Sequence, residues 1–181
     1  MKNMKNRSEA GFSYIDVMIA IVILMVGILA LLSGIAGSVV QSRAHEQQLL
    51  AKQVATSTME SIMSVKETDP DRLGWDAIGN VGSNPSPSGT PRGVFVIGFQ
   101  PVTLDAGADE VIGTADDSGP TVAQLQRQIV ITDLCDPDRP SPNCTPSGFA
   151  RIRMRTVGVT VTYNVGGLRR QEQLTTILTD Y

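Results

Sequence analysis

The hydrophobic pattern of the chain predicts one long helix with two different halves. From Val17 to Ser42 there is no charged residue, a longer apolar run than the roughly 18 residues that indicate a membrane-spanning helix. From Ser38 to Asp69 there is no Gly or Pro, and core-type side chains recur at helical spacing. These are Leu50, Val54, Thr58 and Ile62, with Met59 and Met63 beside them. We predict a helix from about Ser13 to about Val65, roughly 80 Å long, first apolar all round and then amphipathic.

The rest of the chain predicts a small antiparallel sheet. Thr68, Asp69 and Pro70 should end the helix, and the Gly-, Pro- and Ser-rich residues up to 92 predict a loop with Trp75 as its large anchor. Strand-like runs follow at 93–99, 127–132, 152–163 and 168–179. The segment from Asn164 to Gly167 joins the last two as a hairpin. We predict an α+β fold in which the amphipathic half of the helix covers this sheet.

Composition and motifs argue against two function classes. The net charge is −3 and aromatic residues make up 4%, so neither a phosphate-binding surface nor a base-stacking platform is expected. His45 is the only histidine, and no nucleophile elbow, phosphate loop, zinc-protease or dinucleotide motif occurs. We therefore expect a protein that is not an enzyme, binds no nucleic acid and requires no cofactor.

The two cysteines, Cys135 and Cys144, are separated by eight residues in a Pro-rich stretch. In an oxidising compartment such a pair suits a disulfide that closes a small loop. Two free thiols and half of a zinc site are the alternatives. The disulfide is favoured.

The stretch Gly11–Val17, GFSYIDV, follows a short leader with three basic residues, Lys2, Lys5 and Arg7. It resembles the class III signal of type IV pilins and type II secretion pseudopilins, commonly G-F-[ST]-L-[IL]-E-V. The departures are Tyr14 for Leu and Asp16 for Glu. The resemblance implies that a prepilin peptidase cuts between Gly11 and Phe12 and that Phe12 becomes N-methylated. Residues 1–11 would then be the leader, 12–66 the long helix with its membrane and assembly segment at about 17–40, and 67–181 a globular β domain.

An acid near the start of an apolar helix calls for an explanation, because an ionisable group inside a bilayer is costly. Cleavage would create an amine on Phe12, and Asp16 of a neighbouring helix could pair with it in a water-poor bundle. Asp16 would then set the register of assembly. The alternative is that Asp16 lies among lipid headgroups and serves no partner.

Within the family, the helix and the C-terminal hairpin resemble minor pilins of the type IV pilus modification type. This implies a structural subunit of pilus assembly whose partners are other pilins, the prepilin peptidase and the inner-membrane assembly platform. Its N-terminus would be cytoplasmic and its C-terminal domain periplasmic before assembly into a surface pilus or a periplasmic pseudopilus. A minor pseudopilin of a type II secretion system and a membrane-anchored surface adhesin stay open as alternatives.

Residues 105–119, DAGADEVIGTADDSG, form an acidic Gly-containing stretch. Its spacing is not that of an EF-hand, but it resembles the calcium-binding loop of major pseudopilins. Carried over by position, the ligands would be Asp109, Asp116 and Asp117, with Asp105 as a weaker addition. The other interpretation is a solvated acidic loop that binds no metal.

Overall fold

The computed structural model describes residues 13–68, 73–85, 88–134 and 152–180. In this part of the chain one long helix precedes a four-stranded sheet, so the predicted α+β fold is confirmed. The elements are α1 (Tyr14–Glu67), β1 (Gln100–Asp105), β2 (Ser118–Leu134), β3 (Met154–Val165) and β4 (Leu168–Thr179). The chain forms two compact units, Met1–Arg43 and Ala44–Tyr181. The second unit therefore includes the last part of α1 together with the sheet.

The first unit contains the apolar half of α1. Every described residue from Ser13 to Arg43 is exposed, including large apolar side chains such as Leu24 and Leu31. By length and composition this helix could cross a membrane, and none of its most apolar window is buried within the molecule. The observed bounds lie within two residues of the predicted ones.

In the second unit, α1 buries one face in the core. The buried residues follow helical spacing and are Ala51, Ala55, Thr58, Met59, Ile62 and Val65. The prediction that Met63 belongs to this face is wrong, since Met63 is 41% exposed. Leu50 and Val54 lie partly buried at the margin of the core. Two of the six buried residues are alanines, Ala51 and Ala55, which a search for large apolar residues overlooks.

The sheet has the order β1-β2-β3-β4, and all neighbouring strands are antiparallel. Its core face carries Val157, Val159 and Val161, which are fully buried against the cluster that includes Ile62 of α1. The predicted hairpin is confirmed between β3 and β4. Gly166 and Gly167 form its two-residue turn and both have positive φ angles, 57° and 85°, as a tight hairpin turn requires.

The predicted strand at 93–99 is wrong, and β1 immediately after it was missed. Phe95 is fully buried but makes only an isolated bridge with Asn80, and its amide donates to the carbonyl of Gly79 at 3.0 Å. The apolar residues of this segment indicate that it is buried, but its backbone is irregular and does not pair as a strand. Pro101 disfavours a strand in sequence terms, yet β1 tolerates it because an edge strand pairs on one side only.

Trp75 is the anchor of its loop, as predicted. It is 5% exposed, its indole Nε1 donates to the carbonyl of Ile152 at 2.6 Å, and the guanidinium of Arg155 lies 4.6 Å from the centre of its ring. Arg155 also donates to the carbonyls of Trp75 and Ile78. This contact fixes the loop after α1 against the start of β3.

Candidate functional site

The start of α1 carries a hydrogen-bonded cap formed by Ser13 and Asp16. The amide of Ser13 donates to Asp16 Oδ2 at 3.3 Å, and the amide of Ile15 donates to Ser13 Oγ at 3.4 Å. The first bond is the acid half of a capping box, in which the side chain of the third helical residue accepts the amide of the N-cap residue. The hydroxyl half differs, because Ser13 Oγ accepts from the second helical residue and not from the third. The carboxylate also lies at the positive end of the helix dipole. The Ser-x-x-acid spacing is visible in the sequence, so this role of Asp16 could have been predicted.

Two groups of predicted residues lie outside the described residues. They are the processing pair Gly11 and Phe12, and the cysteines Cys135 and Cys144. Cleavage, methylation and the disulfide stay predictions. Of the processing and assembly residues, the structure describes Asp16.

Small residues form a shallow apolar groove on one side of the exposed half of α1. Gly27 and Gly34 line this groove with Leu24, Leu31 and Ile35. A Cβ atom added at either glycine would meet nothing within 4 Å, so intramolecular packing does not require these glycines. Small residues in an apolar helix permit the close approach of another helix.

The acidic loop is folded around the carboxylate of Asp116. Its Oδ2 accepts the amides of Ala108 at 2.7 Å and Asp109 at 3.2 Å, and its Oδ1 accepts the hydroxyl of Thr114 at 2.6 Å. The hydroxyl bond is the largest of the effects that hold the pKa of the Asp116 carboxyl below its ordinary value. Both oxygens are thus engaged by donors from the loop itself.

Asp117 points inward to a buried arginine. Its Oδ2 lies 2.7 Å from Nη2 of Arg127, and the two side chains are 11% and 3% exposed. The same oxygen accepts the amide of Gly113 at 2.9 Å. Burial lowers the pKa of Arg127, and the bond to Asp117 opposes that shift. Arg127 stands within a predicted strand, and no sequence signal marked it as a partner of this loop.

The remaining predicted ligands close local turns. Asp105 Oδ1 accepts the amide of Gly107 at 3.0 Å, and Asp109 Oδ1 accepts the amide of Val111 at 2.8 Å. Among the described residues, no group of three or more Asp, Glu, His or Cys side chains is arranged to hold a metal ion. The donor set therefore does not fit a calcium ion in this arrangement, and calcium binding stays a prediction from resemblance alone.

His45 lies exposed on α1. The described residues thus offer an exposed apolar groove on α1 and an acidic loop whose carboxylates bind donors of the protein. The comparisons add no relative, since the chain matches no family model, no curated protein and no solved structure.

Proposed function

We propose that this chain is a minor type IV pilin, a structural subunit that enters a filament or its priming complex through its N-terminal helix. The observation that carries the proposal is the division of α1. Its residues up to Arg43 are exposed and mostly apolar, while its last turns belong to the core of a globular α+β unit. A helix with one half exposed and apolar and the other half packed in a globular core suits a subunit that assembles through a bundle of such helices.

The length of α1 supports this proposal over a plain membrane anchor. A spanning helix needs about 20 residues, whereas α1 has 54 and contributes six buried residues to the globular core. An anchor attached to an adhesin needs no such continuity, because a flexible linker would suffice. The groove lined by Gly27 and Gly34 adds a surface on which a neighbouring helix can pack closely.

The capping box leaves Asp16 able to act in assembly. A carboxylate can accept about four hydrogen bonds, and the one described side-chain contact, from the amide of Ser13, is long at 3.3 Å. After cleavage at Gly11, the amine of Phe12 on a neighbouring subunit would be a charged donor in a water-poor bundle, where pairing is strong. Asp16 would then cap its own helix and set the register with the next one.

Processing is the first test of the proposal. Mass spectrometry of the mature protein should show an N-terminus at methylated Phe12, and Gly11→Ala should keep the full length and lose function. If Gly11→Ala has the same size as the wild-type protein from cells and is fully functional, the filament role is refuted. Loss of a pilus, or of protein secretion, on deletion of the gene then separates a pilin from a type II secretion pseudopilin.

Assembly is the second test, and Ser13 offers a matched control. Asp16→Ala should be cleaved normally but reach sheared filaments at about one tenth of the wild-type amount or less, equivalent to about 1.4 kcal/mol of lost pairing. Ser13→Ala removes the hydroxyl half of the cap and keeps the carboxylate, so it should assemble nearly as the wild type does. Asp16→Glu should restore incorporation. Equal losses in Ser13→Ala and Asp16→Ala would mean that Asp16 acts only as a cap.

A further inference from the structure

A buried arginine of β2 lies against the acidic loop between β1 and β2. Residues 106–117 carry four carboxylates. Two of them, the exposed Asp116 and the mostly buried Asp117, accept hydrogen bonds from donors of the protein. The first is held by amides and a hydroxyl, and the second by the guanidinium of Arg127. We infer that Arg127 is the internal counter-ion of this loop and takes the place that a bound divalent cation would hold. This inference does not depend on the proposed pilin function.

The burial of Arg127 supports the inference. The side chain is 3% exposed, and Asp117 is its ion-pair partner among the described residues. Its other described contact is a long hydrogen bond of 3.5 Å to the hydroxyl of Thr58 on α1. A buried guanidinium is costly unless a carboxylate neutralises it. Asp117 is therefore committed to Arg127 and is a poor ligand for a second cation.

A divalent ion at Asp117 would also meet the arginine charge. The two oxygens of the carboxylate already receive the guanidinium and the amides of Gly113 and Thr114. An ion bound to these oxygens would lie close to a like charge in a partly buried site, where repulsion is strong. One of the ligands that the resemblance assigns to calcium, Asp117, is thus already paired with positive charge from β2.

The acidic loop also contacts α1 and the hydrophobic core. The amide of Ile112 donates to Ser61 Oγ of α1 at 2.9 Å, and Val111 is 4% exposed within the core. The loop is therefore tied to the helix, to the core and to β2 by its own residues.

The test uses the full chain in a non-ionic detergent, with unfolding followed by the fluorescence of Trp75, the single tryptophan. The wild-type Tm should stay the same on addition of millimolar CaCl2 or EGTA at matched ionic strength, with MgCl2 as the control salt. Arg127→Met should lower Tm by on the order of 10 °C. Arg153→Met removes an exposed cation and should leave Tm nearly unchanged.

A double-mutant cycle isolates the pair. Asp117→Asn leaves Arg127 buried without its counter-ion and should lower Tm as well, and the double variant Arg127→Met/Asp117→Asn should lose clearly less than the two single losses added together. If Arg127→Met fails to fold, the CaCl2 and EGTA series on the wild type and the Tm of Asp117→Asn still test whether Arg127 takes the place of a divalent cation. A wild-type Tm that rises by several degrees with CaCl2 and falls with EGTA would overturn the inference, as would additive losses in the cycle.

Discussion

Replacing Arg155 with methionine should destabilise the globular unit by several kilocalories per mole. Arg155 is 4% exposed and donates to two backbone carbonyls, those of Trp75 and Ile78, the latter at 2.8 Å. Methionine has a similar volume, so the change removes the donors without a large cavity. Each carbonyl keeps one other donor, the amide of Ile78 at 3.2 Å for Trp75 and Asn84 Nδ2 at 3.0 Å for Ile78, so the change removes one charged hydrogen bond from each.

The magnitude follows from these lost partners. Each lost hydrogen bond from a charged donor costs about 1.5–3 kcal/mol, and loss of the contact with the Trp75 ring adds about 0.5–2 kcal/mol. The ion pair with Asp133 adds little, because that carboxylate is 45% exposed. We expect a loss of about 3–5 kcal/mol in the free energy of unfolding.

Urea unfolding of the full chain in detergent measures this loss, with Trp75 fluorescence and far-UV circular dichroism as two probes of one transition. Arg153→Met is the matched control, because Arg153 lies two residues away and its side chain is exposed. The control should change the free energy by less than about 0.5 kcal/mol. If Arg155→Met costs no more than Arg153→Met, the guanidinium does not hold this loop and the reasoning fails.

Two further predictions concern the acidic loop. Gly113→Ala should destabilise the protein strongly, because Gly113 has a φ of 104° and an added Cβ would lie 2.3 Å from Cδ1 of Ile129. Gly98→Ala shares the positive φ but has open space around it, so it should cost less in a thermal melt, and equal losses would show that the contact is unimportant. The lowered pKa of the Asp116 carboxyl means that its hydrogen bonds stabilise the fold above the pKa of an unfolded Asp, about 3.9, and lose this effect as the pH falls through the lower folded value. The Tm of Asp116→Asn should therefore fall less steeply than that of the wild type between about pH 5 and pH 2, and parallel curves would contradict this.

The sequence was sufficient to predict α1 and the hairpin between β3 and β4, because both depend on residues that are close together in the chain. The absence of charge over 17–42 and the helical spacing beyond it predicted α1, because helical hydrogen bonds join residues four apart and periodicity records which side is buried. The two glycines before Leu168 predicted the hairpin for a similar reason. A tight turn requires a backbone conformation that few residues adopt.

The strands near the edge of the sheet could not be assigned in this way. Val94 and Phe95 are apolar because irregular backbone around them is buried, and β1 contains a proline that only its edge position permits. Both facts depend on where the segment lies in the sheet. Composition and alternation alone do not contain that information.

By itself, the sequence determined the long two-part helix, its exposed apolar half and the acid at its start, since these follow from patterns within a few turns of chain. The tertiary structure decided which charges are paired. Arg127 meets Asp117 across ten residues, and Arg155 meets the carbonyl of Trp75 across 80. An acidic loop looks the same in sequence whether a metal ion or an arginine neutralises it. Only the packing of β2 beneath the loop brings the arginine to its carboxylate.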